Sequence, residues 1–166
     1  MPRVEYLRIE CPIIDPTSRT MKVATYNVNS IRQRLPIVLD WITEHKPDVM
    51  CLQETKVQDQ DFPAQAIQEA GYHAIYRGMK AYNGVATLTR TAPEKVVYGL
   101  HEGPDNDDFR IIQTVIGGIP IINTYVPQGY SIESEKFTFK PLGFVACGDT
   151  LIRPLTQPRP QFGLGI

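Results

Sequence analysis

Pro47-Asp-Val-Met-Cys-Leu-Gln-Glu-Thr-Lys56 is the stretch that decides the fold. Four apolar residues, Val49 to Leu52, run straight into a polar end that carries a carboxylate, Glu54, with a lysine two places on. A short continuous apolar run of this kind is what a strand buried on both faces requires. Such a strand sits inside a sheet with other layers packed against it. The acid at its end reads in two ways. It can simply reach water, or it can hold a ligand, because the C-terminal ends of strands in α/β proteins carry variable loops on a rigid base. A carboxylate there suits a hard cation such as Mg²⁺, which takes oxygen ligands and keeps several waters.

Outward from that strand the pattern is a layered one. Upstream, Val23-Ala-Thr-Tyr-Asn-Val-Asn29 alternates and has strand propensity. A polar connection, Ser30 to Leu35, should follow, and then a helix with Pro36 at its first position, Val38, Leu39 and Ile42 at helical spacing, and Pro47 past its end. Downstream, a short helix fits Pro63 to Ala70 with Gly71 ending it. The chain then turns β-rich, with strands expected at Tyr72–Tyr76, Gly84–Thr89, Lys95–Tyr98, Arg110–Ile116 and Ile119–Tyr125, the last two joined by Gly117-Gly118 as a hairpin turn. Strands with two early helices imply α/β packing of sheet and helix.

The flanks are different in character. Residues 1–20 contain three prolines and no clear period, and Met21 follows them, so they read as an extension whose start is mis-assigned. Ser131 to Lys140 begins like a helix. Residues 141–166 are rich in proline and glycine with no sustained period, and they are expected to be mostly irregular. The acidic run His101 to Asp108 lacks the glycine and distal glutamate of an EF-hand and reads as a solvated loop.

Composition narrows the class without naming a partner. The chain has 166 residues, 42% hydrophobic and 21% charged, which fits one globular domain rather than a disordered or fibrous protein. A net charge of -1 is uninformative about a polyanionic partner, since a single cleft can be basic on a neutral protein. Cys11, Cys51 and Cys147 are far apart and suggest neither a disulfide framework nor a zinc site; Cys51 reads as a small core residue. No signal peptide is evident and no apolar run approaches the roughly 18 residues of a membrane span, so a cytoplasmic protein is expected.

Two more strand ends carry chemistry-bearing residues. Asn27 ends the strand upstream; its amide can cap a turn or bind a phosphate or a metal-bound water. Tyr125, before Val-Pro-Gln-Gly129, can be a packing residue or can place its hydroxyl in a polar cleft.

Together these phrases carry a resemblance. Met21-Lys-Val-Ala-Thr-Tyr-Asn-Val-Asn-Ser-Ile-Arg32, Leu52-Gln-Glu-Thr-Lys56, Tyr82-Asn-Gly-Val-Ala-Thr-Leu88 and Asn123-Thr-Tyr-Val-Pro-Gln-Gly129 resemble, in order and spacing, the exonuclease III branch of the endonuclease/exonuclease/phosphatase superfamily, over about Met21 to Lys140. The resemblance implies about one half of a four-layered α/β sandwich. It also implies a Mg²⁺-dependent (or Mn²⁺-dependent) phosphodiesterase acting on double-stranded DNA at apurinic/apyrimidinic (AP) sites and 3′ ends. Glu54 matches the family's metal-binding glutamate, Asn27 its asparagine beside metal and phosphate, and Tyr125 its active-site tyrosine. Arg110, Gln128 and Lys136 stand where the family contacts DNA.

The sequence also departs from that family. The family's later Gly-Asp-x-Asn phrase is echoed by Cys147-Gly-Asp-Thr-Leu151, which sets Asp149 in the acid's place but Leu151 in the asparagine's. None of His45, His73 and His101 lies in the family's Ser-Asp-His context. A frameshift or truncation after Lys140 accounts for the tail, and the catalytic capacity should then be impaired. With half a sandwich, an inner sheet face carrying Val85, Leu88, Ile112 and Ile121 would stand open, giving marginal stability or self-association. Two other functions remain open: a non-catalytic remnant that at most binds DNA weakly, and a different phosphoesterase of the same superfamily.

Overall fold

The computed structural model describes residues 5–9, 21–99, 109–126, 145–147 and 150–152. They form two five-stranded sheets, ordered β1-β2-β3-β5-β4 and β10-β9-β8-β7-β6. The first is built from β1 (Glu5–Ile9), β2 (Met21–Asn27), β3 (Val49–Gln53), β4 (His73–Met79) and β5 (Tyr82–Thr89). The second is built from β6 (Lys95–Tyr98), β7 (Ile111–Ile116), β8 (Ile119–Thr124), β9 (Val145–Cys147) and β10 (Thr150–Ile152). Helices α1 (Ile31–His45) and α2 (Ala64–Glu69) and a short 3₁₀ turn, Asp59–Asp61, complete the described elements.

The opening stretch lies where its composition puts it. β3 is the central strand of its sheet, parallel to β2 and antiparallel to β5, and all five of its residues are buried. Side chains alternate across it. Met50 and Leu52 join Ala24, Tyr26, Ala86 and Leu88 in a core completed by Val38 and Ile42 of α1 and Ile67 of α2. Val49 and Cys51 face the other way and pack with Val23 and with Ile116 and Ile121 of the second sheet. Each face thus has its own partner layer, which is why no polar residue interrupts the run.

That second contact corrects one expectation. The face carrying Val85, Ile112 and Ile121 is not open: these residues and Leu88 are all fully buried. The chain itself supplies both sheets, and Val85 and Ile75 of the first meet Ile112 of the second. Leu88 belongs to the helix-covered side. The exposed counterpart is the outer face of the second sheet, where Ile111, Val115 and Ile122 are only half-buried and Pro120 is exposed. Both described helices pack on the first sheet.

Helix α1 begins at Ile31 rather than at Pro36, which lies inside it on an exposed position. Tertiary bonds explain the difference. The Ser30 and Ile31 amides donate to the carbonyls of Glu54 and Thr55, at 2.8 and 3.0 Å, so the β3 loop sets the start of the helix and Pro36 is accommodated. The Gly117-Gly118 hairpin is as expected, with both φ values positive at 58° and 75°, the combination that matches the twist of paired strands. Residues 5–9, within the expected extension, form the edge strand β1 against β2. From 141–166, the described residues give two three-residue strands at the margin of the second sheet.

Candidate functional site

The parity of three strands brings Asn27, Glu54 and Tyr125 together. Asn27 is the last residue of β2, Glu54 follows the last residue of β3, and Tyr125 follows the last residue of β8. Between the sheets, Ile121 packs with Val49 and Cys51, and the Gln53 Nε2 donates to Asn123 Oδ1 at 2.9 Å. β8 therefore tracks β3, and continuing past that contact, to the next residue after Gln53 and the second after Asn123, delivers Tyr125 beside Glu54.

Glu54 is the centre of the cluster. Asn27 Nδ2 donates to its Oε1 at 2.8 Å, the Lys56 ammonium lies 2.9 Å from its Oε2, and the Tyr125 hydroxyl also hydrogen-bonds to it. The Asn27 Oδ1 in turn accepts from the Asn29 amide at 3.1 Å, and Lys56 Nζ donates to Asn29 Oδ1. Burial pushes the Glu54 carboxyl up, but hydrogen bonds from Asn27 and Lys56, the Lys56 charge and the Tyr125 hydroxyl outweigh it and hold the carboxyl below its ordinary value. Burial, and then the Glu54 charge and hydrogen bond, raise the Tyr125 phenol above its ordinary value, with Arg110 opposing. At neutral pH the site thus presents a carboxylate and a neutral phenol.

The backbone around these residues is unusual and over-determined. Of the seven non-glycine residues with positive φ among the described residues, Asn29, Ser30, Glu54, Lys56, Ala81 and Asn83 all gather at this rim; the seventh, Lys46, caps α1. Such conformations cost about 1 kcal/mol or more each and persist where neighbours enforce them. Here the amides of Thr55 and Lys56 donate to Gly84 and Asn83, that of Ala81 to Lys56, that of Gly84 to Phe109, and that of Tyr125 to Arg110. Gly84 is required at this crossing: its φ is +89°, and a Cβ there would lie 2.2 Å from Thr55 Oγ1.

Arg110 is exposed beside Tyr125, close enough for its charge to act on the phenol. Gln128, Lys136 and Asp149 lie outside the described residues. The two described histidines sit away from the rim. His73 pairs with Thr89, which pairs with Val49 at the start of β3, and His45 ends α1, where its carbonyl accepts from Lys22. Cys51 is fully buried, its thiol pushed up to about 12 by burial, in keeping with a packing role.

Three groups were not singled out in the sequence. Lys56 stands inside a quoted motif, but its contact with Glu54 depends on the left-handed turn. Gln53 and Asn123 form a buried seam beneath the site. The Asn123 amide donates to the carbonyls of Ala86 and Leu52, at 2.9 and 3.3 Å, and to Thr87 Oγ1, while Gln53 also bonds Thr25. A polar residue at a buried parity of an apolar strand, Ile-Ile-Asn123, was the available signal. Tyr82, the most exposed of the large hydrophobic residues among those described at 69%, stands with Lys80 and Met79 on the hairpin beside Lys56.

The donors present are one carboxylate, two amides and a phenol, all on oxygen-bearing groups. Among the described residues no group of three or more His, Cys, Asp or Glu could hold a metal. That set fits a hard cation that keeps most of its waters, and does not fit a closed zinc-type cage.

The family model described as the Endonuclease/Exonuclease/phosphatase family matches residues 24–162. The chain belongs to this family. It is 39% identical over 126 residues to exodeoxyribonuclease III of Haemophilus influenzae, an alignment covering 72% of this chain and 47% of that protein. Among solved structures, an AP endonuclease from Archaeoglobus fulgidus superposes with a TM-score of 0.66 at 50% identity, covering 71% of this chain and 46% of that one. The 3′ phosphatase NExo from Neisseria, bound to a product DNA hairpin, gives the same TM-score and coverages at 41% identity. The chain thus spans about half the length of these relatives. No helix among the described residues is long and apolar enough to cross a membrane.

Proposed function

We propose that the chain is a DNA-repair phosphodiesterase component of the exonuclease III type, in which the rim of Asn27, Glu54 and Tyr125 holds a divalent cation and the phosphate to be cleaved. The observation that carries this reading is the convergence of Asn27 and Tyr125, from two different sheets, on the single carboxylate of Glu54. Mg²⁺, or Mn²⁺ in its place, would be held by Glu54 with Asn27 beside it; it would neutralise charge on the non-bridging oxygens and stabilise the leaving oxygen. Asn27 orients the phosphate through its amide, and the neutral Tyr125 hydroxyl donates to a phosphate oxygen. Arg110, with Gln128 and Lys136, supplies contacts to the DNA backbone, and Tyr82 with Lys80 adds an exposed aromatic and a charge on the same rim.

The partner in this reading is double-stranded DNA carrying an AP site or a 3′ end, met in the cytoplasm. With the described histidines at the far end of the sheet, no imidazole stands at this rim among the described residues, and we propose that this chain alone is catalytically impaired. Self-association would use the outer face of the second sheet, with Ile111, Val115 and Ile122, rather than the buried face between the sheets.

The test is cleavage of a duplex with one AP site in Mg²⁺, with and without a chelator. Slow, chelator-sensitive incision that Glu54→Ala lowers at least 100-fold supports the reading. Folded protein that neither cleaves nor binds the duplex overturns it. Binding that weakens with salt but never leads to incision in Mg²⁺ or Mn²⁺ points instead to the non-catalytic remnant.

A further inference from the structure

We propose that Lys56 is a built-in counter-cation of the site: its ammonium, held at Glu54 and Asn29, stands beside the carboxylate that would hold a divalent cation, so that it orders the donors in the metal-free protein and weakens metal binding. The inference rests on the proposed role of Glu54 as a metal ligand. An exposed lysine–carboxylate pair is ordinarily worth little, with long side chains that find each other only part of the time. Three features separate Lys56 from that case.

The first is its partners. Nζ reaches Glu54 Oε2 at 2.9 Å and also Asn29 Oδ1, two oxygens that come from the loops after different strands, β3 and β2. It therefore bridges the strand ends that form the site. The second is burial: the Glu54 side chain is only 19% exposed and that of Lys56 32%, so both lie in a partly desolvated setting where charge is less screened. The third is the backbone. Lys56 and Glu54 both adopt φ of +55°, and Lys56 is bonded on both sides, its amide to Asn83 and its carbonyl from Ala81. The chain holds a lysine in a conformation that its side chain disfavours, and that conformation places the ammonium on the carboxylate.

The consequence follows from charge alone. A divalent ion bound by Glu54 meets a full positive charge a few ångströms away, and at contact distance that repulsion exceeds what one hydrogen bond contributes to ordering the carboxylate. Removing the ammonium should then tighten metal binding while loosening the metal-free site. A lysine that served only to dock DNA would leave the metal's affinity unchanged, and one that served only to position Glu54 would lower it on removal.

The experiment is a Mn²⁺ titration without DNA, with free Mn²⁺ read by electron paramagnetic resonance, on the full chain and on Lys56→Met, Lys56→Arg and Glu54→Gln. Thermal unfolding is measured in parallel with and without the metal. Lys56→Met should bind about tenfold tighter than the unmodified chain, Lys56→Arg about the same as it, and the metal-free Lys56→Met protein should melt lower but recover in excess Mn²⁺. Lys56→Gln, which keeps a hydrogen-bond donor, carries the same sign should Lys56→Met not fold. Unchanged or weaker binding by the neutral variants, while the unmodified chain binds through Glu54, overturns the counter-cation and leaves the metal site standing. If the unmodified chain binds no better than Glu54→Gln, the metal site itself fails, and the counter-cation with it.

Discussion

The space between the two sheets has two kinds of interior. At one end Val23, Val49 and Cys51 meet Ile116 and Ile121 in an apolar cluster, and a second such cluster joins Ile75 and Val85 to Ile112. Against them runs a seam of amides and hydroxyls, the buried Asn123, Gln53 and Thr87 with the half-buried Thr25, linked by hydrogen bonds from Asn123 across the sheets and from Gln53 to Thr25 within the first. The apolar clusters hold the sheets together wherever they touch, because burial is non-directional. The seam is directional, and it lies directly beneath Glu54 and Tyr125. Its geometry sets which residue of β8 stands opposite which residue of β3, and so whether the two strand ends meet.

Substitutions should separate these roles. Asn123→Leu removes the buried bonds from Asn123 to the Gln53 amide and to the carbonyls of Leu52 and Ala86, and should cost about 3 to 4 kcal/mol in denaturant unfolding, with loss of Mn²⁺ affinity in whatever remains folded. Ile121→Ala deletes buried carbon from the apolar cluster and should cost about 3 kcal/mol, yet leave Mn²⁺ affinity within about twofold. If both variants lose the metal equally, the seam has no special positioning role. Gly84→Ala, which forces a Cβ against Thr55 Oγ1 at a φ of +89°, should cost about 2 kcal/mol and displace the loop that carries Glu54.

A pH series sharpens the same contrast at the rim. The folded Glu54 carboxyl is held below its ordinary value of 4.5, so its contribution to stability is present above that value and is lost as pH falls through the lower folded one. Melting temperatures of the parent chain and Glu54→Gln should converge on acidification below about pH 4, whereas Ile121→Ala should run parallel to the parent. The smallest effect is expected at Thr114, whose buried hydroxyl has no hydrogen-bond partner among the described residues. Thr114→Val should be neutral or stabilising by about 0.5 kcal/mol, and a loss above about 1 kcal/mol would show that the hydroxyl has a partner.

Much of this architecture was legible in the residues because it obeys local rules. The run Val49 to Leu52 announced a strand covered on both faces, and Gly117-Gly118 announced the hairpin. Composition and motif also led to Asn27, Glu54 and Tyr125, since each ends or follows a strand. What could not be read was set by contacts distant in the chain. The start of α1 depends on two amides that bond the β3 loop, 24 residues away in each case, and so Pro36 misleads as a start signal. The closed inner face depends on both sheets coming from this one chain, which no single strand pattern discloses. Asn123 and Lys56 owe their roles to partners 70 residues off and to a left-handed turn, respectively.

The most direct measurement is an Mg²⁺ titration of the isotopically labelled chain, followed by amide and side-chain chemical shifts. The expected result is one saturable set of shifts confined to Asn27, Asn29, Glu54, Lys56 and Tyr125, absent in Glu54→Gln. Shifts that fall elsewhere, or that persist at full size in Glu54→Gln, would contradict the assignment of the rim as the metal-holding site.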